Sequence, residues 1–140
     1  MRITAENYKQ DTVYPRVVQA THAIFANKDE LAPVDLFIQM GLVVRNDVLR
    51  WRRGGVPYLE KVAHCNLSKA NRILRILGMH AHDLNLGRKV VRYVVEGGKR
   101  RGIPLRFSKT GDSGIERAYT THFYIIGAPE KFRARLLENK

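Results

Sequence analysis

The sequence predicts an α+β fold, with a mainly helical N-terminal part, then a basic β-hairpin, then short C-terminal helices. Three observations carry that expectation. Between residues 15 and 87 apolar side chains recur three and four positions apart, the repeat of helices with one buried face. From residue 89 the repeat gives way to a β-branched run, Lys89-Val90-Val91-Arg92-Tyr93-Val94-Val95. The turn Gly97-Gly98-Lys99-Arg100-Arg101-Gly102 and a second extended stretch, Ile103 to Ser108, follow it. Beyond residue 110 helix-start residues return, at Asp112 or Ser113 and at Pro129.

Residues 1–14 are polar and mixed, and read as an arm or an edge strand. Pro15 suits a first helical turn, and Val17, Val18, Ala20, Thr21, Ile24 and Phe25 give a helix near 16–28. Pro33 starts a second, with Leu36, Phe37 and Met40 on its apolar face and Gly41 as its stop. A third runs from Asn46 or Asp47 to Arg53 and ends at Gly54-Gly55; Pro57 opens a short fourth reaching Ala63. Asn66 or Ser68 caps the longest helix, about 67–84, whose stripe is Ala70, Ile73, Leu74, Leu77, Ala81 and Leu84. Gly78 interrupts that helix, and Leu86-Gly87 closes it. Runs 89–95 and 103–108 pair as a hairpin, with Pro104 on an edge. A helix near 114–121, a short strand over 123–126 and a helix from Pro129 to about 137 complete the chain. The expected organisation is an arm over 1–14, a helical region over 15–87, and a segment over 88–140 packed onto it as one domain.

A chain of 140 residues can bury a core without disulfides or metal. Its one cysteine, Cys65, allows no intrachain disulfide and fits a reducing compartment. No segment approaches the roughly 18 consecutive apolar residues of a membrane span, and the first residues carry no apolar signal core. A cytoplasmic protein without a membrane partner is the expectation.

The net charge is +12, and its placement matters more than its size. Residues 45–109 hold 16 of the 25 Lys and Arg and only four acids, Asp47, Glu60, Asp83 and Glu96, whereas the flanks together balance. An excess gathered in one half of a chain points to a polyanion partner. A basic surface that is simply solvated is the plainer alternative.

Residues 33–62 read helix, glycine turn, helix, Gly-Gly, helix, with Gly41, Val48, Trp51, Gly54, Pro57, Leu59 and Glu60 at landmark positions. This resembles the helix-turn-helix of repressor-type domains of the Cro and phage-repressor kind. In that family a glycine sits in the turn, and the recognition helix carries an aliphatic residue and then a Trp. A Gly and a Pro precede the next helix. The resemblance spans about 30 residues and departs in two places: Gly41 to Val48 is one residue longer than usual, and Phe37 stands where a small Ala is normal. It implies DNA binding, with the third helix reading bases.

At about 100° per residue, Val48, Trp51 and Arg52 share one side of the third helix, and Asn46, Arg50 and Arg53 the other. Asn and Arg match adenine and guanine edges in the major groove; an ordinary charged outer face is the alternative. Lys69, Arg72 and Arg75 lie opposite the apolar stripe of the long helix, suited to phosphates. Arg88, Lys89, Arg92, Lys99, Arg100, Arg101, Arg106 and Lys109 crowd 22 residues against one acid, Glu96, in the manner of a basic wing. Tyr93 and Phe107 either stack on unpaired bases or belong to the core.

Enzyme readings are weaker. His80 and His82 fall about 200° apart on a helix and do not share an ion. Lys109, Asp112 and Glu116 are too few carboxylates for two-metal phosphoryl chemistry. The stretch 106–112 has the wrong Gly and Lys order for a phosphate loop. The polar and aromatic run Tyr119-Thr120-Thr121-His122 suggests no mechanism. The expectation is therefore a non-enzymatic nucleic-acid-binding protein without metal or cofactor. DNA binding leads, as a transcriptional regulator and a homodimer on a two-fold site; an RNA- or ribosome-associated protein and a basic interaction or inhibitory module are the alternatives.

Overall fold

The computed structural model describes residues 3–138. Among these, six α-helices and one small sheet form an α+β fold, with the helices dominant. They are α1 (Tyr14–Phe25), α2 (Pro33–Gln39), α3 (Arg45–Arg52), α4 (Leu67–Asp83), α5 (Ser113–Thr120) and α6 (Pro129–Glu138). The strands are β1 (Glu30–Leu31), β2 (Gly87–Val90) and β3 (Thr121–Tyr124), and 3-10 turns occupy Tyr8–Gln10 and Leu59–Val62.

Three helices end in the same way. After α2, Gly41 N–H donates to the Ile38 carbonyl and Leu42 N–H to that of Phe37, with Gly41 at φ 75°. After α3, Gly54 bonds back to Trp51 and Gly55 to Arg50, with Gly54 at φ 83°. After α4 the left-handed position falls to Asn85, φ 57°, with Asn85 bonded to His82 and Leu86 to Ala81. These are Schellman endings, which satisfy the last carbonyls and need a residue that tolerates positive φ. The N-termini of α4 and α5 are capped by side chains. Asn66 Oδ1 accepts from Lys69 N–H, and Asp112 Oδ1 accepts from Gly114 and Ile115 N–H.

The expected hairpin is corrected in part. The run 89–95 is split: Gly87–Val90 pairs antiparallel with β3, and only Val94 bridges to Pro104. The β3 strand lies in the centre of the sheet, paired on its other edge with β1, Leu31 opposite Phe123. Its free edge takes the first half of the β-branched run. The second half does form a reversal, with Val95 N–H on the Ile103 carbonyl, Gly102 N–H on Val95 and Leu105 N–H on Tyr93. Pro104 has no N–H to extend that ladder.

The core is continuous. Ile3, Tyr8 and Val13, from the expected arm, are buried in it together with the apolar stripes of α1 and α4. Asp11 accepts two hydrogen bonds from the Arg72 guanidinium, at 2.9 and 2.8 Å, and this holds the N-terminal stretch onto α4. At the other end Arg133 of α6 donates to the Phe25 and Lys28 carbonyls and pairs with Asp29, closing the C-terminus of α1. No helix among the described residues is long and apolar enough to cross a membrane.

Candidate functional site

The third helix turns Val48 and Trp51 inward and leaves Asn46, Arg50 and Arg53 exposed. Trp51 is fully buried, and its Nε1–H donates to the Arg106 carbonyl at 2.8 Å. Its ring begins a run of aromatic contacts. Phe107 lies 4.8 Å away, Tyr119 stacks on Phe107 at 5.2 Å, and Phe37 meets Tyr119 at 5.6 Å. The bulky Phe37 thus packs against α5, which accounts for its presence where the repressor pattern has a small residue.

The basic reversal is pinned to the end of α3. Glu96 N–H donates to the Arg52 carbonyl at 2.8 Å, and the two side chains pair at 3.4 Å. The Arg52 guanidinium lies over the Tyr93 ring at 5.1 Å. The left-handed Gly54 leaves room for Val95, whose nearest methyl would be 3.3 Å from an added Cβ. Beyond this base the tip carries Lys99, Arg100 and Arg101, all exposed. None has a carboxylate within ion-pair distance among the described residues, and the same holds for Arg53 and Arg92.

Not every expected phosphate contact is available. Arg72 is committed to Asp11, which holds the Asp11 carboxyl below its ordinary range. Arg106 is exposed but folds back: it donates to the Ser108 and Lys109 carbonyls and lies over Tyr58. Lys89 pairs with Glu30 at 2.8 Å. Arg50 makes only an exposed pair with Asp47 at 3.2 Å, an interaction worth little. Lys69, half-buried at the start of α4, has no carboxylate partner among the described residues. Arg75 and Arg88 are exposed and line one cavity between α4 and α5, apart from the α3 surface. The fourteen expected residues therefore divide. Asn46, Arg50, Arg53, Lys99, Arg100 and Arg101 stand on α3 and the reversal joined to it, Arg75 and Arg88 form a second group, Arg72, Arg106 and Lys89 serve the fold, and Lys69, Arg92 and Lys109 join none of these sets.

Base stacking by Tyr93 and Phe107 is overturned, since both rings are buried. In the run from Tyr119 to His122, the two ring residues are buried and the two threonines bond to backbone nearer the surface. Tyr119 donates its hydroxyl to Glu60 at 2.6 Å, and burial raises its pKa. Thr120 and Thr121 hydroxyls donate to the Arg117 carbonyl. His122 bridges two partners: Nε2 lies 2.6 Å from the Tyr93 hydroxyl and Nδ1 2.7 Å from Glu30. Both bonds are satisfied when Nδ1 carries the proton and Tyr93 donates. Burial pushes the Tyr93 hydroxyl up to about 12, and Lys89 and then His122 hold Glu30 low. Register places this chain on one sheet face, because Lys89 stands opposite His122 and Glu30 opposite Tyr124.

The loop 106–112 is held with unusual thoroughness. Glu116 accepts from Phe107 N–H at 2.9 Å, Ser108 N–H at 2.7 Å and Ser108 Oγ at 2.6 Å. Glu60 accepts from Lys109 N–H at 3.0 Å. These carboxylates bind backbone, and Asp112 caps α5, so the three acids do not converge on a common point. Lys109 is exposed at the edge of the loop and has no carboxylate partner among the described residues.

Set against protein-family models, curated proteins and solved structures, the chain matches none.

Proposed function

We propose that this protein binds nucleic acid, duplex DNA above all, through the exposed face of α3 and the basic reversal fixed to its end. The observation that supports the reading is the joining of the two. Asn46, Arg50 and Arg53 project from a helix whose buried face is anchored through Trp51. Lys99, Arg100 and Arg101 project from a turn bonded to the same helix through Arg52 and Glu96. A helix offering Asn and Arg suits base edges in a major groove, and a turn with three unpaired cations suits the neighbouring backbone. Regulation of transcription is the role that fits such a surface.

The test is affinity against salt, measured by anisotropy on labelled duplex DNA and on single-stranded RNA. Each phosphate neutralised contributes about 0.9 to the slope of log K against log salt. Replacing Lys99, Arg100 and Arg101 together with Ala should lower that slope by about 2.7. Asn46→Ala and Arg50→Ala should instead erase preference among sequences, at about 1–3 kcal/mol per base contact. A slope unchanged by the triple replacement overturns the proposal. Tighter binding to RNA, insensitive to Asn46 and Arg50, replaces DNA by RNA. Failure to bind either at about 50 mM salt leaves an acidic protein as the partner.

A further inference from the structure

The cavity between α4 and α5 lies outside the α3 surface and has a different character. It measures about 790 Å³, within the roughly 300–1,000 Å³ of small-molecule sites. Its apolar lining comes from Leu74, Gly78, Met79, Ile115 and Ala118. Gly78 stands in the interior of α4, where glycine costs a helix more than any residue but proline. Close packing does not demand it, since a Cβ there would meet nothing within 4 Å. What the missing side chain does is leave the cavity open.

The polar rim balances two carboxylates against two guanidiniums, but only the carboxylates have partners. Both of its carboxylates are occupied: Asp83 accepts from the Tyr8 hydroxyl and lies 4.0 Å from His82, and Asp112 caps α5. Both of its guanidiniums, Arg75 and Arg88, are exposed without a carboxylate partner among the described residues.

We propose that this cavity binds a small organic acid with an aromatic or alicyclic body. The body lies against Gly78 and Ile115, and the carboxylate meets Arg75 and Arg88. The site stands independently of the proposed nucleic-acid surface, which includes neither Arg75 nor Arg88, and its test is run with no nucleic acid present.

The probe is 6-hydroxy-2-naphthoate, titrated by calorimetry into the full chain, with 2-naphthol as the partner lacking the carboxylate. The acid should bind at about 1 mM or tighter, and 2-naphthol at least about tenfold more weakly. Gly78→Leu, which fills the cavity without altering charge, should abolish binding. The double variant Arg75→Gln, Arg88→Gln should reduce the acid to the affinity of the naphthol, a result that holds even if Gly78→Leu folds poorly. Ala23→Leu, in the separate groove between α1 and α6, serves as control and should bind as the wild type does. No binding at about 1 mM, equal affinity for acid and naphthol, or retention of binding in both cavity variants would each overturn the proposal.

Discussion

Replacing Glu116 should show how much the loop carrying Lys109 depends on one carboxylate. Glu116 accepts three hydrogen bonds, two of them from the backbone of Phe107 and Ser108, residues only 1% and 0% exposed. Water cannot take over for those N–H groups without opening the structure. A buried donor left without an acceptor costs about 1–3 kcal/mol. Ser108 Oγ in turn accepts from Gly111 N–H at 3.0 Å, so the loss spreads one step along the loop. Glu116→Ala should therefore destabilise by about 3–5 kcal/mol, a large part of the about 5–15 kcal/mol that domains possess. Glu116→Gln keeps one acceptor oxygen but sets an amide N–H against a donor, and should cost about half as much. Trp51 is the only tryptophan, and its ring lies 4.8 Å from Phe107, so its fluorescence follows this loop during urea unfolding. With an m-value of about 2 kcal/mol per molar, the Ala variant should lose about 2 M in midpoint. Midpoints within about 0.25 M of wild type for both variants would refute the reasoning, because two buried N–H groups would then have been satisfied at no cost.

Burial, with repulsion from His22 stacked 5.9 Å away, lowers the His80 pKa to about 4. The unfolded chain takes up that proton near 6.5, so the contribution is complete above that pH and is lost as pH falls from about 6.5 to about 4. His80→Leu should flatten this part of the stability profile, measured as urea midpoint against pH; a profile parallel to wild type would argue against it. Arg72→Ala should cost about 1–3 kcal/mol by releasing Asp11, and Asp11→Asn should cost a similar amount, with little more in the double variant. Full additivity in that cycle would show the two to be uncoupled. Gly78→Ala should stabilise by about 0.5–1 kcal/mol through helix propensity, since nothing obstructs the new methyl; a lower melting temperature would contradict the open space described.

The helices were legible because their signals are local. Gly41, Gly54 and Asn66 each act within a few residues of themselves, and the ends of α2, α3 and α4 fall within two residues of where those signals put them. The left-handed stop falls on Asn85 rather than on Gly87, the residue whose type signals a stop in the sequence. What failed to show was long-range choice. The run Lys89–Val95 has the same β-branched character throughout, and only the free edge of β3, more than 30 residues later, decides which half joins the sheet. Arg72 and Arg106 illustrate the same limit for the site. A guanidinium suited to phosphate is equally suited to a carboxylate or to carbonyl oxygens, and the partner of Arg72 lies 61 residues away. The chain Tyr93–His122–Glu30 joins residues up to 92 apart and leaves no trace in local spacing. Phe37, which the sequence shows only as a departure from the repressor-type pattern, packs in the core against Tyr119.

Trp51 reaches its carbonyl partner across 55 residues of chain. During synthesis α3 meets the turn at Leu59–Val62 early, but the Trp51 indole lacks its contacts with Tyr93, Arg106 and Phe107 until that later segment has left the ribosome. The first two-thirds of the polypeptide is thus expected to leave this part of its core unfinished when made alone. Closure of so long a loop delays collapse relative to bundles built from neighbouring helices, and a fragment stopping at residue 87 should expose indole and aggregate rather than fold.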